Sequence, residues 1–114
     1  MELNELLTQI AEQPEQVAFA DVISVIDANY DFTPTAFENG DLHNEANQNN
    51  GSCKIFSFAS LHTLSPEQTL ACFGDFYRKD VLGHPDNDDH QNIRNFMQYG
   101  WEGVKFAAKA LSVK

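Results

Sequence analysis

The chain has 114 residues, 42% of them hydrophobic and 11% aromatic, which is enough apolar material for one core and too little length for two ordinary domains. Leu, Ile, Val and Phe make up about a quarter of it, above the range of disordered chains. Seventeen acidic residues against seven basic ones give a net charge of −10, so the surface repels phosphate backbones and anionic headgroups, which argues against nucleic acid or a membrane as partner.

The opening MELNELLTQIAEQ carries acids where an export signal carries bases, and no apolar run approaches the roughly 20 residues of a membrane span. Cys53 and Cys72 do not make a disulfide framework and suit a reducing cytoplasm. Leu3, Leu6, Leu7 and Ile10 form one stripe of an amphipathic helix that Pro14 stops. Phe19, Val22, Ile23 and Ile26 repeat that spacing and predict a second helix to about Ala28, before Pro34. Residues 30–51 hold Pro34, Gly40, Gly51 and the asparagines Asn39, Asn44, Asn47, Asn49 and Asn50. That composition predicts a long loop whose side chains bond nearby backbone, and long ordered loops are often functional.

Residues 53–61, CKIFSFASL, are apolar almost all round, which fits a buried helix and, less well, a buried strand. Ser65-Pro66-Glu67-Gln68 is a helix start with a capping box. Behind it Leu70, Phe73, Phe76 and Tyr77 form a stripe that Gly83 and Pro85 end. Asp88 with Gln91 makes a second capping box for a helix through Ile93, Phe96 and Met97, closed by a left-handed Gly100. Trp101, Val104, Ala107, Ala108 and Leu111 mark a last helix. The expectation is a mainly α fold, a small single-domain bundle (1–114) of about five to six short helices with one long Asn-rich loop.

Two constellations carry chemistry. Cys53 follows Gly51-Ser52 near the start of its helix, where free amides and the helix dipole favour a thiolate. With His90 as base and Asn44 or Asn92 as orienter, it would form the nucleophilic set of a thiol hydrolase; the alternative is a small core cysteine and a capping histidine. The second is a polar set around short apolar helices: Asn44, Glu45, Ser52 and Lys54 on one side, Arg78, Asp80, His90, Asn92 and Arg94 on the other. There Arg94 would pair with Asp80, Glu45 or an anionic ligand. The run Asp86-Asn87-Asp88-Asp89-His90 is no calcium loop, because Gln91 and Met97 stand where that loop needs glycine and glutamate. His43, Glu45 and His90 come without HExxH or paired CxxC, so no metal and no cofactor are expected.

Taken in order, YDFTPTAFENG at Tyr30 to Gly40, NEANQNNGSCKIFSF at Asn44 to Phe58, LACFGDFYRKDVL at Leu70 to Leu82 and DHQNIRNFMQYGW at Asp89 to Trp101 resemble the HopJ (HopPmaJ) type III effector family over nearly the whole chain. The resemblance implies a small, mainly helical bacterial protein of undefined biochemical activity, named after members delivered into plant cells. No catalytic residue follows from it. Type III substrates usually open on a flexible, serine-rich, acid-poor stretch, whereas the first fifty residues here hold one serine, Ser24. The chain therefore reads as a monomeric interaction or ligand-binding module for a host or bacterial protein or small ligand. It would reside in the bacterial cytoplasm, as a housekeeping protein, or reach host cells by type III secretion.

Overall fold

Leu6 and Ile10 bury one face of the first helix, α1 (Leu3–Glu12), and a 3-10 turn at Pro14–Gln16 redirects the chain into α2 (Phe19–Asn29), which buries Val22, Val25 and Ile26. The computed structural model describes Met1–Lys114. The predicted central helix is α3 (Asn50–Leu61), with Cys53 and every residue from Ile55 to Ala59 inside. Phe56 is its hub: the rings of Phe96, Phe73, Phe37 and Trp101 lie 5.0, 5.4, 6.1 and 6.4 Å away. Such tilted and edge-on pairs add to the area they bury.

The Ser65 capping box forms as expected. Ser65 Oγ accepts from the Gln68 amide at 3.2 Å and Gln68 Oε1 from the Ser65 amide at 3.0 Å, opening α4 (Pro66–Ala71). The predicted continuous helix through Tyr77 does not follow. Gly74 takes φ +60°, where a Cβ would sit 2.7 Å from the Phe19 amide nitrogen, and the chain resumes as a π-helical turn over Phe76–Val81. The second capping box is also absent. Here α5 (Gln91–Tyr99) starts behind His90 in the left-handed region, and Gln91 Nε2 donates to the Asp88 carbonyl at 2.5 Å.

The fold is α+β, not the expected helical bundle. Residues 30–51 are not one loop: β1 (Tyr30–Phe32), β2 (Phe37–Asn39) and β3 (Leu42–Asn44) lie within them. The expected last helix is a 3-10 turn (Gly100–Gly103) followed by β4 (Val104–Phe106) and β5 (Leu111–Val113). Both small sheets are antiparallel, β1 with β5 and β3-β2-β4, so strands separated widely in sequence close the fold. Phe37 pairs with Phe106 in register, and their rings stack 5.2 Å apart. The apolar stripe at 101–111 has helical spacing by coincidence: Ala107 and Ala108 are exposed, and burial alternates with period two around Lys105.

Gly40 makes the tight turn between β2 and β3 at φ +63°, in the manner of a type II′ hairpin. A Cβ there would lie 2.1 Å from the Tyr99 ring, so only glycine lets α5 close over the hairpin. The result is that the Asn-rich segment is pressed against α5.

Candidate functional site

Asn39 on β2, Asn44 on β3 and Asn92 in the first turn of α5 are all buried and bonded to one another. Asn92 Nδ2 donates to Asn44 Oδ1 at 2.9 Å, and Asn44 Nδ2 donates to Asn92 Oδ1 at 3.2 Å. Asn39 Nδ2 reaches both the Asn92 carbonyl, at 2.8 Å, and its Oδ1, at 3.0 Å. Asn49 adds a 2.7 Å bond to Asn44 Oδ1. The side-chain nitrogens of Asn39, Asn44, Asn49 and Asn92 all find acceptors here without any charge, which would be costly at this depth, while the buried Asn39 Oδ1 is left without a donor.

That network fixes two helix starts side by side. The residues before α3 and α5, Asn49 and His90, both adopt left-handed backbone (φ 53° and 49°), and neither caps its helix with its side chain. The first-turn amides of Gly51, Ser52, Gln91 and Asn92 consequently have no intramolecular partner. All four residues line one cavity of about 440 Å³, whose apolar wall includes Phe19, Phe73, Phe76 and Ile93, with Leu42 of β3 at its edge. Phe76 is 41% exposed, a large ring left open to solvent. It packs edge-on to Phe19 at 5.0 Å and against the His90 ring at 5.2 Å. His90 Nε2 is 3.0 Å from Asp80 Oδ2, which ties the π-helical turn to the rim.

Among the residues singled out by sequence, Ser52, His90 and Asn92 line this cavity, Asn44 supports it from below through Asn92, and Asp80 supports it through His90. The others are held elsewhere. Arg94 does not meet Asp80 or Glu45: it donates to the carbonyls of Asp89, Pro85 and His84 and to the Asp89 carboxylate, at 2.6–3.2 Å, and so fastens the 84–89 loop to α5. The hydrogen bond from Arg94 holds the Asp89 carboxyl below the usual aspartate range. Arg78 donates to the Pro14 and Val17 carbonyls, fixing the turn between α1 and α2. Lys54 pairs with Asp27 at 2.8 Å and lies 5.1 Å over the Phe32 ring. Glu45 joins Glu38 in flanking the exposed His43.

Cys53 and His90 do not form a dyad. Cys53 is 1% exposed, and its thiol is directed to the Thr35 carbonyl at 3.6 Å. Its own amide is bonded to the Asn49 carbonyl at 3.0 Å and so is not among the free donors of that helix start. Burial pushes its pKa up, opposite to what a nucleophilic thiolate needs. Sequence reading did not single out Phe19, Phe76 and Asn49 as site residues: the two aromatics sit in helical stripes that read as core, and Asn49 is one asparagine in a run.

The sequence pattern of the HopJ type III effector protein family matches residues 3–111. The crystal structure of the protein VPA0580, whose function is unknown, superposes with a TM-score of 0.98 at 59% identity, covering 100% of this chain and 95% of that one. No curated protein of established annotation matches. No helix is long and apolar enough to cross a membrane.

Proposed function

Because this chain belongs to the HopJ type III effector family, whose name gives no reaction, we propose that it acts as a ligand-binding module through the cavity between the starts of α3 and α5. The observation that carries this reading is the convergence, in one hollow of about 440 Å³, of an aromatic wall with the Phe76 ring open to solvent and backbone donors that lack partners. Volumes of this order accept small ligands, and a few placed polar groups on an apolar lining are what orients them. The free groups at the rim are mostly N–H donors, so the ligand is a small molecule or peptide end with an apolar body and acceptor atoms. Capture of such a group from a host or bacterial partner is the corresponding interaction role.

A thermal-shift screen of small amphipathic acids and amides tests this directly. A true ligand at 100 times its Kd stabilises the fold by about 2.7 kcal/mol, and the effect disappears in Ser52→Phe, which fills the hollow. Hits that stabilise both proteins equally overturn the reading. Type III delivery is the companion proposal, supported by the family's membership. It is tested by comparing export from bacteria with and without a working secretion apparatus.

A further inference from the structure

Of the four histidines in the chain, His90 alone is set up as an oriented base on the wall of a hollow. Its Nε2 lies 3.0 Å from Asp80 Oδ2, with Asp89 Oδ2 farther away at 3.8 Å, and its ring rests against Phe76. A carboxylate on one ring nitrogen keeps the proton of the neutral imidazole there and leaves the lone pair on the other. That other nitrogen, Nδ1, bonds to nothing in the protein and is open to solvent. By contrast, His43 has a carboxylate on each nitrogen, His62 meets the Tyr30 hydroxyl, and His84 is exposed with no side-chain partner.

The lining of the hollow selects what such a base would act on. No lysine or arginine borders it, and two carboxylates stand beside His90, so a phosphate or sulfate group finds no counter-charge there. An uncharged carbonyl compound fits better. Its apolar chain lies against Phe19, Phe76 and Ile93, and its carbonyl oxygen accepts from the partnerless first-turn amides. Such donors count for most when that oxygen gains charge, as it does when a nucleophile adds to the carbonyl carbon. The Ser52 hydroxyl is not bonded to His90, so the nucleophile available to this base is water.

Resting on the reading of this hollow as a binding site, we propose that it hydrolyses uncharged carboxylic esters with a short apolar acyl chain, with His90 as the catalytic general base and Asp80 as its positioning residue. His90 Nδ1 takes a proton from water as the water oxygen bonds to the carbonyl carbon, and the carbonyl electron pair moves onto its oxygen, where the free amides hold it. When the C=O bond re-forms, the bond to the alcohol oxygen breaks and the departing alkoxide takes the proton from Nδ1. The products are one acid and one alcohol. The Nε2 proton stays with Asp80 throughout, which keeps the ring in the tautomer that the first step needs. Neither cysteine takes part.

The test is release of p-nitrophenol from p-nitrophenyl butyrate by the full chain. Butyrophenone, which has the carbonyl and the apolar chain but no leaving group, serves as the binding probe in amide NMR. Turnover above that of the unfolded chain is expected, with kcat/KM falling at least about 100-fold in His90→Asn, a residue that tolerates the left-handed backbone at this position. Asp80→Asn should lower kcat at least about tenfold with KM unchanged, a split that a merely structural tie would not give. His90→Gly should regain turnover when imidazole is added, and His84→Gln should cleave at the full rate. Butyrophenone should shift Gly51, Ser52, Gln91 and Asn92 together in all four variants. Turnover no faster than that of the unfolded chain, or equal turnover in His90→Asn, overturns the proposal. The binding site stands in that case if any ligand still moves those four amides, and falls with the reaction if none does.

Discussion

Asn44 and Asn92 meet amide to amide, each Nδ2 donating to the other's Oδ1 at 3.2 and 2.9 Å. This reciprocal pair joins the hairpin β2–β3 to the first turn of α5 across 48 residues of sequence, and it is completed by Asn39 and Asn49. Removing one member takes a side-chain acceptor from the donors of its neighbours. Asn92→Leu leaves the Asn39 and Asn44 amides without that acceptor in a buried site, at a cost of about 2–3 kcal/mol. Urea unfolding checks it; a loss below about 0.5 kcal/mol would mean that water or rearrangement replaces the network without difficulty.

Two histidines give opposite pH dependence. His62 Nε2 lies 2.8 Å from the Tyr30 hydroxyl and its ring packs on Phe58, and burial lowers its pKa below the usual 6.5. The folded state then binds fewer protons than the unfolded one, so this contribution is present above about pH 6.5 and is lost as pH falls through the folded pKa. His43 is raised above 6.5, chiefly by its hydrogen bond to Glu38 and then by the Glu38 charge and Glu45. Its contribution is complete below about pH 6.5 and is lost as pH rises through the folded pKa. Urea midpoints measured from about pH 5 to 8 should lose their acid-side fall in His62→Gln and their alkaline-side fall in His43→Gln. Profiles unchanged by either substitution would contradict the assignments.

Neither cysteine should behave as a nucleophile. Burial pushes the Cys72 thiol up to about 12 and the Cys53 thiol up as well. A disulfide exchange reagent at neutral pH should leave both untouched in the native protein and label both in denaturant, at a native rate set by unfolding. Rapid native labelling of Cys53 would restore the thiol-hydrolase reading.

Helix starts and apolar stripes were legible in the sequence wherever local chemistry decides the outcome. Leu6 and Ile10, the Ser65 capping box and the buried run from Ile55 to Ala59 all stand where spacing puts them. Strands were not legible. Each spans three residues, too short for alternation to register, and their partners are remote: Phe37 with Phe106, Tyr30 with Val113. Trp101, Val104 and Leu111 happen to recur at helical spacing, yet Gly100 and Gly103 interrupt any helix and the Phe37 ring draws Phe106 into a sheet. The site was half legible. Ser52, His90 and Asn92 line the cavity, whereas Arg94, Arg78, Lys54 and Glu45 serve as loop and helix ties. Arginines that face carbonyl groups look no different in sequence from arginines that face a ligand.

The central claim is that the starts of α3 and α5 form one binding site. Amide NMR of the labelled chain with any hit from the ligand screen tests it most directly. The account predicts that Gly51, Ser52, Gln91 and Asn92 shift together along one saturation curve. Shifts confined to one helix start, or to residues outside the hollow lined by Phe19 and Phe76, would contradict it.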